Sequence, residues 1–246
     1  MQFPSKQHQS EDAAPNGPNG TNRPGMRKAE FWNRLAHKYA ATPIADMAGY
    51  EASLQRTRSL LSAEHDVLEI GCGTGTTALH LAASSGRFLA TDISPEMIAI
   101  AQGKLAAHPI PQLSFALADA DGPVSGVATY DRVLAFNMLH LVSDLDQTLA
   151  MLVLALRPGG LLISKTPCIA EMNPLIQYLA LPLMCAVGKA PSPIQRLDEA
   201  RLRAALSRQG LLLDSVERHG SKKKDFRVFI VARKPLPTDP LRASPC

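Results

Sequence analysis

Glu69 lies within the short apolar run Val67–Ile70, Asp92 and Asp119 each follow such a run with Asp121 two residues further on, and Gly71-Cys72-Gly73-Thr74-Gly75 follows directly on Ile70. Carboxylates at the ends of buried strands are costly unless they meet a ligand or a donor, so they mark candidate binding positions. Glycines at alternate positions let the backbone turn sharply with positive φ and let a ligand approach the main chain closely. A glycine-rich turn alone is weak; a strand before it, a helix after it and an acid about 20 residues on make it a nucleotide-cofactor turn. Asp66–Ile70 supplies the strand, Thr74–Ala83 carries helical apolar spacing, and Arg87–Thr91 is a second strand that ends at Asp92, where a carboxylate would hold ribose hydroxyls.

Two details bear on the ligand. A dinucleotide turn needs a small residue at its sixth position, where this chain has Thr76. Glu69 would repel a pyrophosphate and attract an ammonium or sulfonium, so the ligand implied is cationic.

On these residues the chain resembles the class I S-adenosylmethionine-dependent methyltransferases, and within them the small-molecule branch called type 11, which includes quinone-biosynthesis C-methyltransferases. The resemblance runs from Val67–Gly75 through Ala90–Ser94, Leu117–Ala120, Tyr130–His140 and Leu156–Leu162, and covers most of residues 28–233. It implies an α/β fold with a doubly wound, seven-stranded, mostly parallel sheet of the Rossmann-like kind and an antiparallel last strand. S-adenosyl-L-methionine is the implied cofactor. The resemblance carries Asp119 onto the adenine amino group, with the Ala120 amide donating to the ring; Asp121 competes with Asp119 for that place. Asp92 is assigned to the ribose, Ile93 and Met97 to the adenine slot, and the Gly71–Gly75 loop, Cys72 included, to the cradle. Glu69 with the Gly71 and Asn137 backbones faces the methionine end, and Tyr39 resembles a capping residue. His140, beyond the fourth strand, has the side chain for a general base if the acceptor presents O–H or N–H; a packing role at a helix entry is its alternative.

The remaining elements follow from periodicity. Residues 1–26, rich in Pro, Gly, Asn, Gln and Ser, are expected to be a disordered tail, as are residues 234–246, leaving a methyltransferase domain over 27–233. Residues 27–61 read as two leading helices, the second from Asp46 to Leu61 with Asp46 as N-cap. In the resembling family such helices close over the cofactor. Leu113–Leu117, Tyr130–Phe136 and Leu161–Thr166 are further strands; Pro158-Gly159-Gly160 ends the helix before the last, and Leu211–Val216 with Phe226–Ala232 reads as a closing hairpin. Ligands in such a sheet sit at the carboxyl ends of the strands, so all these loops converge on one crevice.

Residues 169–190 interrupt the alternation with apolar side chains and almost no charge. They read as a substrate lid implying an apolar or aromatic acceptor or a peripheral membrane contact, against a helix buried on the sheet or in a dimer. Four dispersed cysteines without a C-x-x-C pair disfavour zinc and disulfides and suit the cytosol. No run reaches membrane-spanning length. A net charge of +4, with Lys222-Lys223-Lys224 the one cluster and no RNA-binding module in view, gives no expectation of a nucleic-acid partner. The function expected is methyl transfer, without a metal, to a small molecule by a monomer or homodimer. The alternatives are an NAD-dependent oxidoreductase, disfavoured by Thr76, Glu69 and the lack of a Tyr-x-x-x-Lys pair, and a non-catalytic cofactor-binding partner subunit.

Overall fold

The computed structural model describes residues 24–237, apart from 125, 172–174, 188 and 221–226 and the side chains of Pro24 and Ile176. Helices α1 (Pro24–Ala41) and α2 (Met47–Arg58) lead into an alternation of β1 (Asp66–Ile70), α3 (Thr76–Leu81), β2 (Arg87–Asp92), α4 (Pro95–Ala107), β3 (Leu113–Leu117), β4 (Tyr130–Phe136), α5 (Leu145–Ala155) and β5 (Leu156–Pro167). After the short α6 (Leu181–Ala186) come α7 (Glu199–Arg208) and the strands β6 (Leu212–His219) and β7 (Arg227–Arg233). The seven strands lie in the order β3-β2-β1-β4-β5-β7-β6. All neighbours from β3 to β5 are parallel, and β7 runs antiparallel to both β5 and β6. The chain winds outward from β1 to β3, then returns to lay β4 on the other side of β1, which opens a crevice at the carboxyl ends of those two strands.

Pleating divides β1 between two cores. Leu68 and Ile70 pack with α5 and α7 residues such as Leu149, Leu152 and Leu206, whereas Val67 packs on the opposite face with Ala78, Leu81 and Ile98. Glu69 shares Val67's face and is 2% exposed, a carboxylate placed by strand alternation where apolar side chains belong.

Several boundaries differ from the sequence expectations. Helix α1 begins at Pro24, inside the expected tail, because proline at the first helical turn forfeits no hydrogen bond. Lys234 is likewise not tail: its amine donates to the Val153 and Leu156 carbonyls at 2.6 and 2.8 Å, and its backbone pairs with Gly159 and Gly160. Helix α5 stops at Ala155 rather than at Pro158, since Leu156 is already extended and pairs with Tyr130. Strand β6 runs on to His219; residues 1–23, Phe226, the three lysines and residues 238–246 fall outside the described residues.

Asp46 caps α2 as expected, accepting from the Gly49 N–H at 3.0 Å. Ser94 caps α4, accepting from Met97 N–H, and its own hydroxyl donates to Asn33 Oδ1 at 2.6 Å, which fastens α1 across the carboxyl end of β2.

Gly75, at φ +74°, is where α3 departs from the loop, and a Cβ there would come within 2.6 Å of the Phe115 ring and 2.8 Å of the Ala101 methyl. Gly75→Ala combines a left-handed conformation with overpacking and is expected to cost about 2–4 kcal/mol. Urea unfolding measures it; a midpoint unchanged from the parent would show that the loop relaxes freely.

Candidate functional site

The crevice holds two adjoining cavities. The first lies over the ends of four parallel strands: Gly71 and Gly73 after β1, Asp92 and Ile93 at the end of β2, Ala118–Asp121 after β3 and Phe136–Met138 at the end of β4, with Met97 from α4 below. Lys28, Trp32 and Tyr39 of α1 cover it. The second lies between the α1–α2 connection and the sheet, and its walls include Ile44, Tyr50, Cys72, Lys165, His219 and Arg227. Tyr39 and Asn137 belong to both.

Gly71 and Gly73 have φ of +67° and +55°, and for different reasons. A Cβ on Gly71 would meet Met138 Cβ at 2.8 Å, whereas one on Gly73 would meet only the Tyr39 ring, at 3.7 Å. Gly73 is thus open backbone beneath an aromatic ring, a surface against which a flat or extended ligand can lie. Gly75 does not line the first cavity, which corrects its assignment to the cradle; its missing side chain makes room for Phe115 and Ala101.

Asp92 is the centre of the first cavity. Oδ2 accepts from Gly73 N–H at 2.8 Å and Oδ1 from Ser94 N–H at 2.9 Å. Each carboxylate oxygen keeps a further acceptor site. Burial raises the carboxyl's pKa from its ordinary value, and the N–H groups of Ser94 and Gly73 oppose that rise.

Asp119 and Asp121 both line the cavity but differ in what engages them. Asp121 pairs with the Lys28 ammonium and accepts the Ser143 N–H on both oxygens, at 3.0 and 3.1 Å. Its pKa stays low through the hydrogen bonds from Lys28 and Ser143, which outweigh its burial. It is a clasp holding α1 to the loop after β3. Asp119 accepts the Asp121 N–H at 3.0 Å and otherwise faces the cavity, so of the two it is the one placed for a ligand.

Tyr39, Gly71, Gly73, Asp92, Ile93, Met97, Asp119, Ala120 and Asn137 are brought together as expected. Besides Gly75, three residues fall elsewhere. Cys72 lines the second cavity, with its thiol pushed up by burial and then by Glu69. Glu69 lines neither: it lies beneath both, with Oε2 buried and without a hydrogen-bond partner among the described residues. His140 also lines neither; burial and then Arg227 hold its imidazole down to about 4, which leaves it neutral and a weak base at neutral pH, while its carbonyl accepts the Gln195 N–H. A histidine one turn past a strand points where the turn sends it, which spacing does not reveal.

The apolar segment 169–190, expected as a lid, lines neither cavity among its described residues. It is not a helix buried on the sheet, since Leu175, Tyr178, Leu179, Leu183, Met184 and Val187 are all exposed, an exposure compatible with the dimer or membrane face that was the other expectation.

Sequence reasoning passed over Lys28, Lys104 and Lys165. Lys104 donates to Thr74 O and to the Thr74 and Thr76 hydroxyls at 3.0–3.2 Å, pinning the glycine loop to α4. Lys165 carried a signal, being a lysine inside the apolar run Leu161–Thr166. Asn137 is the non-glycine residue of this site with left-handed φ, +54°, a strained conformation of the sort that clusters at ligand sites.

Burial, and then the Asp92 charge, push the Glu69 carboxyl up to about 8 from an ordinary 4.5. Between those values the folded chain retains a proton that the unfolded chain releases, so rising pH favours unfolding. The Glu69 contribution to stability is therefore full below about 4.5 and fades as pH climbs through 8. Glu69→Gln is expected to flatten the fall in melting temperature between those two pH values; an unaltered pH profile would show that Glu69 does not titrate there.

Residues 68–162 match the family model of a methyltransferase domain. Methyltransferase GfsG of Streptomyces halstedii is 29% identical over 142 residues, 55% of this chain and 51% of that protein. Ajmaline N-methyltransferase of Rauvolfia serpentina is 29% identical over 168 residues, 60% of this chain and 57% of that one. The chain thus spans about half the length of these curated relatives. Among solved structures, magnesium protoporphyrin IX methyltransferase from Synechocystis with bound SAH superposes with a TM-score of 0.64 at 17% identity, over 86% of this chain and all of that one, a likeness of fold. No helix among the described residues is long and apolar enough to cross a membrane.

Proposed function

We propose that the chain is a class I S-adenosylmethionine-dependent methyltransferase that transfers the methyl group of that cofactor to a small acceptor with an apolar or aromatic body, by in-line displacement, in the cytoplasm; the methyltransferase-domain match over residues 68–162 and the methyltransferase relatives support the reading. The observation that carries this is the pair of cavities meeting at Tyr39 and Asn137, one walled by cofactor-type groups and the other suited to an acceptor.

The residues of the first cavity fit the cofactor on their own chemistry. Glu69 offers a buried acceptor lacking a partner beneath the loop, Gly73 an open backbone, and Asp92 two oxygens already oriented by amides. In our assignment Asp92 takes the ribose hydroxyls, Asp119 the adenine amino group and the Ala120 amide the ring. Ile93 and Met97 flank the adenine, while Gly71, Asn137 and the Glu69 carboxyl face the methionine end.

When bound, the cofactor supplies an activated methyl on a sulfonium, so the chain need only hold the reactants in line. Well-oriented groups reach effective molarities of about 10⁵ M and beyond, which makes positioning the main catalytic lever. Tyr39 and Asn137 serve that end as the wall between donor and acceptor, and Trp32 with Tyr39 excludes water from above. The T-shaped contact of these two rings, centroids 6.5 Å apart, stiffens the cover. The adenosyl-sulfonium reading is also favoured over the nicotinamide one, because Thr76 stands where a dinucleotide turn needs a small residue.

Asp92→Ala is expected to weaken S-adenosylhomocysteine binding at least about tenfold in isothermal titration, the scale of a charge-assisted hydrogen bond; full affinity would remove the ribose assignment. Methyl transfer itself is checked by incubating the protein with methyl-labelled cofactor and a metabolite extract and searching by mass spectrometry for a product heavier by one labelled methyl. Tight cofactor binding with no product from aromatic or apolar fractions would leave a binding module in place of an enzyme.

A further inference from the structure

The stretch 172–188 carries no charged residue, and Lys189 follows directly on it. Within it a wide helical turn, Ile176–Ala180, leads into α6. The side chains of this unit sort in the reverse of a soluble helix's. Gln177 is buried and its Nε2 donates to the Ala170 carbonyl at 3.0 Å, while the half-buried Cys185 directs its thiol to the Pro191 carbonyl at 3.2 Å. Tyr178, Leu179, Leu183, Met184 and Val187 stand in solvent, between 43% and 65% exposed. Polar groups thus anchor the unit to the domain and apolar ones meet water, which costs free energy until something apolar covers them.

The rim of this face is basic. Lys189 is exposed, and the Arg196 guanidinium, also exposed, lies 4.6 Å from the centre of the Tyr178 ring. Neither cation has an ion pair among the described residues. The acids that flank the stretch in sequence are engaged elsewhere: Glu171 accepts the Glu199 N–H at 3.1 Å, and Asp198 accepts the Arg201 N–H at 2.6 Å as the cap of α7. An apolar face with a tyrosine and a cationic edge is the composition of an element that lies in a lipid interface. Length agrees, because five residues and then six make about 16 Å of helix, about half of a bilayer's hydrocarbon core. A second copy of the chain would set the same cations, and no acid, around both halves of an isologous contact, which repels where an anionic lipid surface attracts.

We propose that this unit docks the protein on an anionic lipid surface, with Tyr178, Leu179, Leu183, Met184 and Val187 entering the boundary between headgroups and acyl chains while Lys189 and Arg196 meet lipid phosphates. The apolar side chains supply affinity through area removed from water, and the cations select the charge of the surface. The face lines neither cavity, so the inference stands on this surface alone and is independent of the methyl-transfer reading.

The test co-sediments the full chain with vesicles of phosphatidylcholine alone and with vesicles in which about a quarter of the lipid is phosphatidylglycerol. A cation near an anionic surface is worth about fivefold, so the anionic vesicles are expected to bind about tenfold or more tightly than the neutral ones, by a margin that shrinks with added salt. Leu179→Asp combined with Leu183→Asp removes binding to both vesicle types, and Lys189→Gln combined with Arg196→Gln leaves equal, weak binding to the two. All four side chains are exposed, so melting followed by circular dichroism stays at the parent's temperature. Should the paired aspartates lower that temperature, the glutamine pair decides by itself. No binding to either vesicle, binding that survives the paired aspartates, or an anionic preference that is absent from the parent or persists in the glutamine pair overturns the proposal. So does a dimer in light scattering that the paired aspartates dissolve, which would give the face to a second copy.

Discussion

The carboxylate of Asp92 joins two loops that the chain leaves 21 residues apart, Gly71 and Asp92 being the last points at which β1 and β2 hand over to them. By accepting the Gly73 and Ser94 amides it sets the height of the glycine loop relative to the start of α4. The same strand end is tied on both flanks through the backbone, Cys72 N–H to Thr91 O and Ala118 N–H to Asp92 O, each at 2.9 Å. Three loops thereby take their positions from one strand terminus. The cover takes its position there too, since Asn33 reaches the hydroxyl of the Ser94 cap.

The sheet was legible in the sequence because its strands are short apolar runs bounded by turn residues, and β1, β3 and β4 begin and end where periodicity puts them. The leading cap at Asp46 and the proline-started α4 were legible for the same local reason. Legibility failed where a residue's role depends on distant partners. Gly75 looks like its two neighbours in the motif, yet Phe115 and Ala101, which dictate it, come from other elements. His140 and Glu69 depend on the direction a side chain takes from a turn or a pleat, and Lys165 on a cavity closed by α2 and β7. The apolar run at 169–190 suggested burial, but hydropathy alone does not say what a segment packs on, and here its apolar side chains stand exposed.

Charge is sorted across the crevice. Acids gather around the first cavity, where Asp92 raises the proton affinity of Glu69, and bases gather at the second, where Lys165 feels Arg227. The wall between them, Tyr39 and Asn137, carries no charge, which leaves the place where the two ligands meet without a field that would favour either one.

That wall is anchored unequally. Tyr39 is 54% exposed near the end of a helix that two polar clasps hold to the domain, whereas the Asn137 amide donates to the Lys165 carbonyl at 2.6 Å, within the β4–β5 ladder. One side of the boundary is thus tied to the backbone of the sheet, and the other belongs to a helix laid over it. Substitutions in the α1–α2 connection can therefore reshape what enters the second cavity while the span between the two binding places, set by strand register, stays constant. A fold so divided can change its clientele without having to rebuild its alignment.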